Sequence, residues 1–199
     1  MNYSIYAEST PNPMVMKFVA NRMIADKSIE ILEASKAQDI PIVKELFKLP
    51  FVKSVFISSN FVSITKTKNV EWENIAIQIR TYLSDFLNSI EIINHTENIN
   101  HIENVSKEIV KKEDITNIKE FSKDEKEISL ILNEYIKPAV ESDGGSIMLH
   151  SFKDGVVTVN LRGACSGCPS SSVTLKQGIE QLLKQKLGDK IEEVIANNQ

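Results

Sequence analysis

The sequence predicts an α+β protein built from two small α/β domains. Three observations carry this. Residues 1–93 run through short strand-like segments before a strong helical one. Residues 94–122 contain no Gly or Pro and are dominated by Asn, Glu and Lys. Residues 123–199 return to a mixed pattern, with three strand candidates and two helical ones around a loop that holds both cysteines of the chain. The expected organisation is an N-terminal domain over 1–93, a charged linker over 94–122, and a C-terminal domain with a three-stranded sheet and two helices over 123–199.

In order along the chain, Tyr3-Ser4-Ile5-Tyr6-Ala7 reads as a strand, and Thr10-Pro11-Asn12-Pro13 as a turn that breaks it. Met14 to Ala20 is a second strand. Asp26 to Ala37 alternates polar and apolar residues loosely. Pro41 to Phe47 reads as a short helix with Pro41 in its first turn and Ile42, Val43, Leu46 and Phe47 on one face. Val52–Ile57 and Phe61–Thr65 form a hairpin through Ser58-Ser59-Asn60. Trp72 to Leu87 carries Trp72, Ile75, Ile79, Leu83 and Phe86 or Leu87 at helical spacing. Trp72, Phe47 and Phe61 are read as core aromatics.

The linker holds one aromatic, Phe121, and the composition to form a transient helix around Val105 to Lys112. A solvated surface helix is the competing reading of the same residues. In the C-terminal domain, Ile128, Ile131, Leu132, Tyr135 and Ile136 mark a helix face, with Pro138 expected to kink or end its first segment. Asp143-Gly144-Gly145 supplies the stop. Ile147–Phe152 and Val156–Leu161 are strands joined by Lys153-Asp154-Gly155. Val173 to Leu187 is a helix with Val173, Leu175, Ile179, Leu182, Leu183 and Leu187 as its apolar set, closed by Gly188. Ile191–Ile195 is the last strand.

Composition excludes several classes of function. The chain has 199 residues and a net charge of −4, with no basic patch to neutralise phosphates, so nucleic acid is not an expected partner. No apolar run approaches the ~20 residues of a membrane helix, so no membrane association is expected. Met1-Asn2-Tyr3-Ser4 has neither a basic nor an apolar leader segment, so no signal peptide is expected. Two cysteines in so long a chain are not a disulfide framework. Together these features predict a cytoplasmic protein whose thiols bind metal or do chemistry.

Those thiols lie in Gly163-Ala164-Cys165-Ser166-Gly167-Cys168-Pro169-Ser170-Ser171-Ser172, between a strand and a helix. Two thiols at such a turn can exchange disulfides, hold zinc, or hold part of an iron–sulfur cluster. The helix N-terminus favours the thiolate through its unpaired N–H groups and its dipole. Gly163 and Gly167 allow a tight backbone, Pro169 suits the first helical turn, and the serines can cap it. Structural zinc and iron–sulfur clusters usually need four protein ligands. His95 and His101 sit in the linker, and His150 sits mid-strand without a second histidine at metal spacing, so each is read as solvated or packed. The simplest complete set is Cys165 and Cys168 from each of two chains about a two-fold axis. Disulfide exchange would fit a thioredoxin-like βαβ context, whereas here two strands joined by a tight turn precede the thiols and no aromatic precedes Cys165.

At these residues the chain resembles the Nfu family, proteins related to the C-terminal domain of NifU. The resemblance covers about residues 125–196. It rests on Pro138-Ala139-Val140-Glu141-Ser142-Asp143-Gly144-Gly145, Val157-Thr158-Val159-Asn160-Leu161, the ten residues of the cysteine loop, Thr174-Leu175-Lys176 and Gly178-Ile179-Glu180. The first half resembles the N-terminal domain of such proteins through Thr10-Pro11-Asn12-Pro13, Met16-Lys17-Phe18, Pro41 to Phe47, Val52 to Phe56 and Glu71-Trp72. Two departures are Met14-Val15, where a more polar pair is usual, and Ser146, where Asp often follows the double glycine. Neither touches the thiols. The resemblance implies a non-enzymatic carrier that binds a labile [4Fe–4S] cluster between two subunits through Cys165 and Cys168. It also implies transfer of that cluster to apo iron–sulfur proteins, supply by a cluster assembly machinery, and a homodimer when the cluster is bound. Ligand count alone would also permit [2Fe–2S].

Overall fold

A computed structural model describes residues 2–37, 40–96, 121–166 and 169–198. The N-terminal half forms one five-stranded antiparallel sheet from β1 (Ile5–Ser9), β2 (Val15–Ala20), β3 (Ala25–Ile31), β4 (Val52–Ser59) and β5 (Phe61–Lys66), in the order β1-β2-β5-β4-β3. Helices α1 (Pro41–Leu46) and α2 (Trp72–Thr96) cover one face. Strand period explains the core beneath them. Phe18, Ala20, Val55, Ile57, Val62 and Ile64 point inward and meet Ile42, Val43 and Leu46 of α1 and Ile75, Ile79, Leu83 and Leu87 of α2.

The Thr10–Pro13 turn is stitched locally. Asn12 N–H donates to Thr10 Oγ1 at 3.2 Å, and Met14 N–H donates to Asn12 Oδ1 at 3.1 Å. This is an Asx-type turn that leaves the Asn12 amide nitrogen free to reach outward. Trp72 Nε1 donates to Pro13 O at 3.0 Å and pins the same turn to α2.

The C-terminal half opens with α3 (Lys123–Ile131), widens through a π-helical stretch over Leu132–Ile136, and continues as α4 (Lys137–Ser142). The widening answers Pro138, which lacks an N–H and whose ring crowds the carbonyl one turn back. The expected break at proline is thus a bulge within a continuing helix. Strands β6 (Gly145–Lys153) and β7 (Val156–Gly163) form an antiparallel hairpin. Both turn residues, Asp154 (φ 47°) and Gly155 (φ 80°), are left-handed, as a tight two-residue hairpin turn requires. Helix α5 (Pro169–Leu187) then crosses over to β8 (Glu193–Asn198), which pairs parallel with β7. Ile128, Leu132, Val140, Ile147, Val157, Val159, Leu161, Ile179, Leu183 and Val194 form this second core.

Ser122 and Glu125 start α3 with a capping box: Glu125 N–H donates to Ser122 Oγ, and Ser122 N–H donates to Glu125 Oε2 at 2.9 Å. The other oxygen of Glu125 accepts from Phe152 N–H at 3.2 Å, tying the helix start to β6. The carboxylate is buried. Glu125→Ala leaves two part-buried backbone donors without their acceptor and is expected to cost about 1–3 kcal/mol in chemical denaturation. A loss below about 0.5 kcal/mol would show the box to be ornamental.

Several expectations need correction. Helix α2 runs to Thr96, past Leu87 and into the stretch assigned to the linker. Residues 97–120, including the Val105 to Lys112 helix, lie outside the described residues. Helix α5 begins at Pro169, and Val173, assigned to its apolar set, is exposed. The last strand begins at Glu193, two residues late, because Ile191 is held in the turn by its N–H bond to Gly188 O. Phe61 is buried, but on the opposite sheet face from the helices.

Candidate functional site

Three glycines shape the base of the cysteine loop. Gly144 (φ 81°) ends the turn after α4, Gly145 begins β6, and Gly163 (φ 67°) ends β7 and pairs with Gly145. Ala164 N–H donates to Gly144 O at 3.1 Å, which closes the two chain segments on each other. Cys165 lies over Gly145, so near that a Cβ there would sit 2.8 Å from its Sγ. After Cys165 the chain turns back, with Ser166 N–H and Oγ both donating to Gly163 O at 3.1 and 3.0 Å. Cys165 is 6% exposed and packs into the C-terminal core. Cys168 lies outside the described residues, and α5 starts directly after it. Among the described residues no group of three or more His, Cys, Asp or Glu side chains is placed to hold a metal, and no helix is long and apolar enough to cross a membrane. His150 is exposed on β6; the side chains of His95 and His101 lie outside the described residues.

The face of the N-terminal sheet turned away from α1 and α2 meets this base. Asn12 Nδ2 donates to Ala164 O at 3.1 Å, Ser63 Oγ to Gly144 O at 2.7 Å, and Lys17 Nζ to Ser142 O at 3.1 Å. In return Gly163 N–H donates to Glu30 Oε1 at 2.8 Å. Val19, Phe56 and Phe61 form a small apolar cluster on the same face, and the Phe56 ring lies against Gly163. The two left-handed glycines make the approach possible. A Cβ on Gly144 would stand 2.8 Å from Ser63 Oγ, and one on Gly163 2.7 Å from Phe56 Cδ1. The lysine also bonds Glu8 at 3.2 Å and lies 4.9 Å from the Phe61 ring centre, so its buried charge is compensated on three sides.

Burial raises the pKa of Glu30, opposed by the Gly163 N–H, the Arg162 charge and the Ser166 side chain. A carboxylate whose pKa is raised in the folded state favours folding most when protonated. Its contribution is therefore fully present below the ordinary carboxylate value, declines as pH rises toward the raised value, and stays low above it. Glu30→Gln keeps an oxygen acceptor for Gly163 and removes the buried charge. It is expected to flatten that decline, read as a smaller loss of stability on raising the pH from 4 to 7. An unchanged pH profile would show that Glu30 carries no pH-dependent part of the stability.

Asn12, Lys17, Glu30 and Ser63 were not anticipated around the cysteines. One signal was present in the sequence: Phe56, Phe61 and Val19 make the outer sheet face more apolar than a solvated face requires, which implies a sheet covered on both sides.

Two family models match the chain. One, described as "Scaffold protein Nfu/NifU N terminal", matches residues 5–90, and the other, "NifU-like domain", matches residues 128–195. Among curated proteins, the chain is 34% identical over 182 residues to "NFU1 iron-sulfur cluster scaffold homolog, mitochondrial" of Drosophila grimshawi. It is 32% identical to "NifU-like protein 4, mitochondrial" and 32% identical to "NifU-like protein 5, mitochondrial", both of Arabidopsis thaliana. Each match takes in 90% of this chain but only 57%, 61% and 62% of the respective relative. The expectation of a cytoplasmic location is overturned here, since these relatives are mitochondrial by name. The physical reason for the error is that a composition poor in cysteine fits any reducing aqueous compartment and never singled out the cytosol.

Proposed function

The chain belongs to the Nfu family, and from that premise we propose that it is an iron–sulfur cluster carrier rather than an enzyme. Two copies hold one labile cluster, a [4Fe–4S], between Cys165 and Cys168 of each, and surrender it to apo iron–sulfur proteins. A cluster assembly machinery loads it. Residues 1–93 and 123–199 act as separate domains, and the first carries no metal chemistry of its own.

The observation that carries this reading is the turn between β7 and α5. Cys165 lies in it, and in the sequence Cys168 follows three residues on, directly before a helix whose N-terminal dipole favours thiolates. Two thiols are half of a four-ligand set, and the described residues offer no third and fourth. A site split between chains opens by dissociation, which suits cargo that must leave.

Spectroscopy on protein purified without oxygen tests the proposal. Sulfur-to-iron charge-transfer absorption with iron and sulfide in the sample supports it. Zinc in a colourless dimer would replace it with a structural metal module. A metal-free protein cycling an intramolecular disulfide would replace it with a thiol–disulfide oxidoreductase.

A further inference from the structure

We infer that the outer face of the N-terminal sheet is a docking surface for the cysteine-loop base of its own chain, and that this closed form competes with the two-chain cluster site. The competition rests on the function proposed above; the docking does not.

The contact is built rather than incidental. Among the described residues, four inter-domain hydrogen bonds fall on main-chain atoms of residues 142, 144, 163 and 164, the segments that frame Cys165. Ser63, Lys17 and Asn12 are buried polar side chains whose bonds cross to the other domain. Without that domain their polar atoms would face water, and Val19, Phe56 and Phe61 would form an exposed apolar patch. The absent Cβ atoms of Gly144 and Gly163 are what admit Ser63 and Phe56.

The exclusion follows from position. A shared cluster brings two cysteine loops face to face. Here the residue before Cys165 is bonded to Asn12, and the Phe56 ring lies against Gly163, two residues before Cys165. The sheet thus stands where a second loop must come. Docking and loading are then coupled: what weakens one strengthens the other, by the same factor in each direction. The N-terminal domain covers the backbone just before Cys165 in the unloaded chain and is displaced when two copies combine.

Nuclear magnetic resonance on the apo form of this 199-residue chain reads the docking directly. Phe56 ring protons are expected to show Overhauser contacts to the Gly163 α-protons, and their absence overturns the docking. Ser63→Ala combined with Asn12→Ala should abolish those contacts. The same pair should lower the concentration at which the cluster-loaded protein dimerises by about tenfold or more, the equivalent of two ordinary hydrogen bonds. Dispersed amide signals from both domains establish that the variant is folded. Glu30→Ala, which unpairs the Gly163 N–H, serves as an independent second variant and should shift the midpoint in the same direction. A midpoint unmoved in both overturns the competition. Failure of any form to take up a cluster overturns the proposed function, and the competition with it, while the Overhauser contact still decides the docking.

Discussion

Replacing either Cys165 or Cys168 with serine is expected to leave the reconstituted protein with background iron and no cluster-dependent dimer. The size of the effect follows from symmetry. A two-fold site loses two of its four ligands with every single substitution, so each variant falls straight to half a site. A serine hydroxyl is not ionised near neutral pH and is a poor ligand for a thiolate-bound cluster. Stability must be followed alongside. Cys165 packs in the C-terminal core, where a hydroxyl in place of the thiol costs about 1–3 kcal/mol. The expected pattern is a folded, monomeric, colourless Cys165→Ser protein, read by iron analysis, circular dichroism and sedimentation. Retention of the full iron complement would contradict a ligand role for the substituted thiol.

Gly163→Ala is expected to cost about 2–4 kcal/mol in denaturant unfolding, the largest stability loss among the described glycines. Two effects add. The residue sits at φ 67°, where any Cβ is strained. The new methyl would also stand 2.7 Å from both Gly144 O and Phe56 Cδ1. The carbonyl belongs to the backbone that closes the loop and cannot yield. The ring belongs to the other domain and yields only by undocking. Gly178 is the matched control. It lies within α5 with nothing inside 4 Å of its Cβ position. Gly178→Ala should stabilise by about 0.5–1 kcal/mol through helix propensity and a less flexible unfolded chain. Equal effects at the two sites would contradict the packing described around Gly163.

What could be read from the sequence was local. The β6–β7 hairpin declares itself through Asp154-Gly155 between alternating strands, and α1 and α2 through apolar spacing, because turn chemistry and helical period act within a few residues. The cysteine loop was legible for the same reason: glycine, proline and serine each answer a need of the strand-to-helix turn. Other features depend on what lies across space. Strand β3 pairs with β4 through an irregular register between Ala25 and Ile29, which blurs its period. The burial of Lys17 and Ser63 belongs to a partner more than 80 residues away in sequence. The inward packing of Cys165 depends on Gly145 having no side chain, a long-range fact carried by a residue that reads locally only as a helix stop.

On the proposed function, one chain supplies half of a cluster site. The measurement closest to it is the iron and acid-labile sulfide content of the anaerobically reconstituted native chain, taken with its mass in solution. The expected result is about four iron and four sulfide per two chains, in a dimer that returns to monomer when the cluster is removed. A colourless monomer, or a full cluster on a single chain, would contradict it.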